Sequence, residues 1–75
     1  MKFTHKCWLY GVNEDNTVTF YITDDTGKAL YYRANARLKI LTELDELDRD
    51  TELNLEFGVA YVRGKGLTLQ IVRVL

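Results

Sequence analysis

Tyr21, Tyr31 and Arg33 have the types and spacing to stack against a planar group and to hold negative charge beside it. Thr17–Thr23 alternates, with Val18, Phe20 and Ile22 on one face and Thr17, Thr19, Tyr21 and Thr23 on the other. A strand that buries the apolar set therefore turns Tyr21 outward. Asp24-Asp25-Thr26-Gly27 follows, and its Asp, Thr and Gly suit a hairpin turn. Lys28 to Ala34 then reads as the returning strand. With Leu30, Tyr32 and Ala34 inward, Tyr31 and Arg33 stand outward beside Tyr21. A register slip of one residue exchanges Tyr31 for Tyr32 on that face. Lys28 at the far end of the hairpin, and Arg63 and Lys65 in the turn Arg63-Gly64-Lys65-Gly66, add cations. Trp8 and Tyr10 offer two further rings, at least one of them expected in the core because so small a domain needs bulky filling. Outward tyrosines also stabilise a sheet by cross-strand pairing, with no ligand at all.

Other chemistry finds little support. His5 is the one histidine and Cys7 the one cysteine, so neither an intrachain disulfide nor a cysteine-based metal cluster is expected. Cys7 reads as a small buried hydrophobe, and His5 as a surface or packing residue. Asp45, Asp48 and Asp50 lack the spacing and central glycine of an EF-hand loop. A carboxylate hydrolase needs two acids in a sheltered cleft, whereas these fall on a polar helix face and a turn. Neither a Ser/His/Asp set nor a phosphate-cradling glycine loop is present. The expectation is a non-enzymatic chain that carries no cofactor and no metal.

At 75 residues, one domain spanning 1–75 is expected, with about 60–65% of the unfolded surface buried. The 47% hydrophobic content suffices for one core and is too high for a disordered tail. A net charge of −1 conceals segregation. Glu43, Asp45, Glu46, Asp48, Asp50, Glu52 and Glu56 face only Arg49 within residues 43–56, a net of −6, while the flanking stretches are mildly basic. No run approaches the roughly 18 apolar residues of a membrane span. With an unpaired cysteine, that pattern gives the expectation of a soluble, cytoplasmic protein.

These groups need a frame. Lys6 to Val12 has strand propensity and ends in the turn-like Asn13-Glu14-Asp15-Asn16. Glu52 to Val62 alternates, with Gly58 marking a bulge or bend, and a last strand starts at Leu67. Ala36, Ile40, Leu44 and Leu47 form a helical stripe, with Asn35 as its N-cap candidate. Arg37 and Lys39 at its start and Glu43, Asp45 and Glu46 at its end oppose the helix dipole. A shorter helix capped by Thr42, with Asp45 three residues on, removes that conflict. The expectation is a helix within 36–48; were 36–41 a strand, an SH3-like barrel would follow instead.

Three strands, a helix and a two-stranded hairpin is the element order of the OB fold. Val18–Lys28, closing on Asp24-Asp25-Thr26-Gly27, resembles the second-strand signature of the tRNA-anticodon-binding-like OB family, where an apolar strand ends in Asp-x-Thr-Gly. Leu47–Gly58 is similar to that family's approach to strand four, and Leu67–Val74 to its closing strand. The resemblance covers most of residues 8–75. It departs at Asp50, where members often carry glycine. It implies an all-β, five-stranded OB-type barrel that binds single-stranded DNA or RNA through the outer face of strands two and three and the strand four–five loop. Tyr21, Tyr31 and Trp8 would stack, and Arg33, Lys28, Arg63 and Lys65 would contact phosphates. The alternative is a protein-interaction or inhibitor module of the same fold, docking a basic partner through Glu43, Glu46 and Asp48.

Overall fold

The computed structural model describes all 75 residues. Six elements follow one another: β1 (Lys2–Val12), β2 (Thr17–Thr23), β3 (Ala29–Ala36), α1 (Leu38–Asp45), β4 (Glu52–Val62) and β5 (Gly66–Val74). The strands close in the order β1-β2-β3-β5-β4, with β4 returning to β1. Every pairing is antiparallel except the short β3–β5 seam, where Asn35 meets Gln70 and Ala36 meets Ile71. This order, with the helix between β3 and β4, is an OB-type barrel, and the helix at 38–45 removes the SH3-like alternative.

Local chemistry sets the turns. Asp24 Oδ1 accepts from the amides of Thr26 and Lys28, each at 2.9 Å, and from the Thr26 hydroxyl at 2.6 Å. The Thr26 hydroxyl foremost, and the Lys28 amide after it, hold the Asp24 carboxyl below the usual carboxylate range. Gly27 supplies the positive φ of 84° that closes this turn. At the β1–β2 turn, the Asn13 side-chain amide donates to the hydroxyls of Thr17 and Thr19, at 3.0 and 2.8 Å.

The core takes Cys7 and Leu9 from β1, Val18 and Phe20 from β2, Ala34 from β3, Leu53, Leu55 and Phe57 from β4, and Ile71 from β5. Ile40, Leu41 and Leu44 of α1 complete it. This burial holds the helix, because eight residues are too few to be helical alone in water. Its N-cap is Arg37, with no side-chain cap. Asn35 belongs to β3, and the Thr42 hydroxyl donates back to the Leu38 carbonyl at 2.9 Å, so neither expected cap forms. The stripe is also rotated: Leu41 replaces Ala36 and Leu47, which lie outside the helix.

Two further expectations change. β1 begins at Lys2, four residues before the predicted Lys6, because Lys2 to Trp8 pairs with Gly58 to Glu52. The irregularity in β4 lies between Glu56 and Phe57, one step before Gly58. Gly58 has a different duty, since a Cβ there would sit 3.1 Å from Val72 Cγ2. α1 lies beside the β1–β2 turn. The other end of the barrel opens into a hollow of about 170 Å³ lined by Phe3, His5, Phe20, Ile22, Tyr32, Phe57 and Leu69.

Candidate nucleic-acid interface

Cys7 and Leu9 point into the barrel, so the alternation of β1 turns Lys6, Trp8 and Tyr10 out. On β2 the inward set Val18 and Phe20 leaves Thr19 and Tyr21 outside, and on β3 inward Ala34 leaves Tyr31 and Arg33 outside. Register then assembles the face: Trp8 lies opposite Tyr21, Tyr21 opposite Tyr31, and Thr19 opposite Arg33.

The four rings form one continuous row. Trp8 and Tyr21 stack with centroids 5.9 Å apart and planes 17° apart. Tyr21 and Tyr31 follow at 5.3 Å, tilted by 47°. Tyr31 meets the Tyr10 ring at 5.4 Å, edge to face. Tyr10 sits at the irregularity of β1 between Leu9 and Gly11, and the β2 residue facing Gly11 is the small Thr19. All of these centroid distances fall in the favourable range for aromatic pairs. Tyr31 is 56% exposed. Tyr32 lines the hollow and stacks on Phe20 at 6.1 Å, which fixes the register left open by the sequence. Both Trp8 and Tyr10 lie on the outer face, so the expectation that one of them fills the core is corrected: Cys7, Leu9 and Phe57 do the filling.

Three cations border the row. Arg33 forms no ion pair, and neither does Arg49, whose Cζ lies 5.3 Å from the Tyr10 centroid. Lys6 Nζ sits 6.0 Å from the Trp8 ring and pairs with Glu52 at 2.8 Å. Carboxylates intrude as well. The Tyr21 hydroxyl donates to Asp50 Oδ1 at 2.6 Å, and this bond foremost raises the Tyr21 pKa above its usual value. Asp15, whose carboxyl accepts the Thr17 hydroxyl, is held below its usual range by that bond first, with the nearby Arg33 charge adding to it. Tyr10, Asn13, Thr19, Tyr31, Tyr32 and Arg33 line a shallow depression of about 460 Å³ at one end of the row.

Of the sequence-predicted residues, Trp8, Tyr21, Tyr31 and Arg33 come together on this face. Lys28, Arg63 and Lys65 do not join the row; they sit exposed in their turns, with no ion pair and no ring beneath them. β3 and β5 run parallel, so the β2–β3 and β4–β5 turns share one end of the barrel. Sequence reasoning missed Lys6, Asn13, Arg49 and Asp50 at this face. Strict alternation from Cys7 and Leu9 was enough to place Lys6 and Tyr10. Nothing local signalled Arg49 and Asp50, which arrive through the closure of β4 on β1: the Asp50 amide donates to the Leu9 carbonyl at 2.7 Å, and the Leu9 amide to Thr51 at 3.0 Å.

Asp50 occupies the position where the resembling family often has glycine, and its φ of +70° is the left-handed conformation that glycine adopts most easily. Aspartate tolerates that region better than most residues, and here it gains the Tyr21 hydrogen bond. Elsewhere Cys7 is fully buried, and burial pushes its thiol from 9.0 up to about 11. His5 is exposed, with Nδ1 2.6 Å from the Lys6 carbonyl oxygen. No group of three or more His, Cys, Asp or Glu side chains is arranged to hold a metal. No family model, no curated protein and no solved structure matches this chain.

Proposed function

We infer that this chain is a non-enzymatic binding module for single-stranded nucleic acid, using the outer face of β1, β2 and β3. One observation carries the reading: four aromatic rings, Trp8, Tyr21, Tyr31 and Tyr10, run unbroken across three strands of an OB-type barrel. Successive bases stack on such a row whatever their sequence, each platform contributing about 1–3 kcal/mol. Arg33 and Arg49, which form no ion pair, suit the phosphates beside it. Lys28, Arg63 and Lys65 are assigned to a longer strand that leaves the row toward the turns. The resemblance to the tRNA-anticodon-binding-like OB family and an unpaired Cys7 support RNA or DNA as ligand and a reducing, cytoplasmic setting. With few free cations and Asp50 beside Tyr21, affinity for an isolated copy is modest. A Tyr21→Ala, Tyr31→Ala variant tests the assignment: it keeps the circular dichroism of the parent and loses oligonucleotide binding, and unchanged affinity overturns the reading.

A second reading rests on α1 and the segment after it. Glu43, Asp45, Glu46 and Asp48 are exposed and form no ion pair, which suits docking of a basic protein. Reversing Glu43, Glu46 and Asp48 to Lys abolishes capture of such a partner if that surface is used.

A further inference from the structure

The β4–β5 hairpin is longer than the barrel needs. Phe57 pairs with Ile71 on the inner face, so the period of the strands puts Val59 with Leu69 and Tyr61 with Leu67 on that same face. Phe57 and Leu69 still line the hollow at the open end. Beyond them the hairpin runs past the rim, and its inner face covers nothing: Tyr61 is 74% exposed and Leu67 77%. Around the hollow, Phe3, Tyr32 and Val59 keep 41, 45 and 42% exposure. At about 200 Å² for a whole large side chain, these five leave roughly 550 Å² of mainly apolar surface, with the Tyr32 share divided between this end and the depression beside Tyr31. That is near the upper end for the largest patch on a monomer, and such patches usually mark an interface.

We propose that a second copy of this chain occupies this surface, in a two-fold dimer in which each hairpin arm lays Tyr61 and Leu67 into the open barrel end of the other. Three features fit. First, one patch holds both a ridge and a hollow, which a two-fold axis pairs reciprocally. The hollow, about 170 Å³ and almost wholly apolar in lining, is of the size that accepts a benzene ring and so a tyrosine. Second, two copies cover roughly 1,100 Å², at the lower bound for a specific interface, so the dimer is weak and concentration-dependent. Third, charge agrees. The arm ends in Arg63 and Lys65, whereas the rim reached through Ile22 and Thr23 carries Asp24 and Asp25. Asp25 forms no ion pair within its own chain.

The row of rings lies on the outer face and stays free in this dimer, whereas Arg63 and Lys65 are engaged by it, so the test follows association alone, without oligonucleotide. Sedimentation velocity from low to high micromolar protein should show the 8.7 kDa monomer giving way to a dimer. Leu67→Glu and Tyr61→Ser, both at exposed positions, should raise the dissociation constant at least about tenfold with an unchanged monomer melting temperature. Lys65→Glu should weaken the dimer, and adding Asp25→Lys should restore it. Isotope-filtered NMR should give intermolecular contacts from the Tyr61 ring to Ile22. A monomer at every concentration overturns the proposal, whether or not the hollow then takes a small apolar probe. So does a dimer indifferent to Leu67→Glu and Tyr61→Ser.

Discussion

Two walls of one barrel expose aromatic surface in opposite ways. On the β1–β3 wall, Trp8, Tyr21, Tyr31 and Tyr10 stand on the outside, touch one another, and have polar neighbours in Asp50, Arg33 and Arg49. On the β4–β5 wall, Tyr61 and Leu67 stand on the inner face beyond the rim, with neither ring partners nor side-chain hydrogen bonds. The first surface is orientated in advance: each ring is held by its neighbour, so a planar ligand pays little to order it. The second is apolar area without direction, which gains by being covered. Exposure alone does not distinguish them; the company each ring keeps does.

Removing rings from each wall separates them most sharply. Tyr21→Ala with Tyr31→Ala should cost about 2–4 kcal/mol of binding to a single-stranded oligonucleotide, roughly 30- to 1,000-fold in Kd by fluorescence anisotropy. Tyr61→Ala should leave that affinity, and the stability of the monomer, within about 0.5 kcal/mol. Comparable losses from the two variants would erase the distinction.

A smaller effect sharpens the ring-bearing wall. If Arg33 and Arg49 each neutralise one phosphate, either Arg→Ala variant should reduce the slope of log K against log salt by about 0.7. The same slope measured for Lys28→Ala, Arg63→Ala and Lys65→Ala shows whether the strand extends to the turns. An unaltered slope in Arg33→Ala would detach the guanidinium from the ligand.

The smallest effect concerns Asp50. Asp50→Asn retains a residue that tolerates positive φ and an acceptor for Tyr21, and removes a negative charge from the row. Affinity for a polyanion should rise about two- to fivefold, as expected when one nearby repulsive charge is lost at a screened surface. The Tyr21 pKa should fall part of the way toward 10.0 in an ultraviolet titration, because the carboxylate charge is lost while the hydrogen bond, its largest cause, is kept. The sign follows from linkage: a folded-state pKa above the unfolded value means that the contribution of this bond is complete below pH 10.0 and is lost as pH rises through the folded value. A variant with the parent's Tyr21 titration would show that the Asp50 charge does not contribute to it.

Much of this is legible in the sequence. The alternation of Thr17–Thr23 and the Asp24-Asp25-Thr26-Gly27 turn define β2 and its hairpin through local rules alone, and Tyr21, Tyr31 and Arg33 follow from them. The outward position of Trp8 follows from its place on β1, while the expectation that at least one of Trp8 and Tyr10 fills the core fails. Alternation outranks size there, since Cys7 and Leu9 already occupy the inward positions. The N-terminal half of β1 and the arrival of Arg49 and Asp50 were not legible, because both depend on β1 pairing with a strand some 50 residues away in sequence. The helix cap was missed for a related cause: tertiary burial of Ile40, Leu41 and Leu44 sustains α1 without favourable termini.

Trp8 reports directly on whether the row of rings stacks on bases. The protein should be titrated with unlabelled single-stranded DNA and RNA at low and moderate salt while Trp8 emission is followed. Stacking on the row should give saturable quenching that weakens as salt rises. Trp8 emission that stays constant through saturating oligonucleotide at low salt would contradict it.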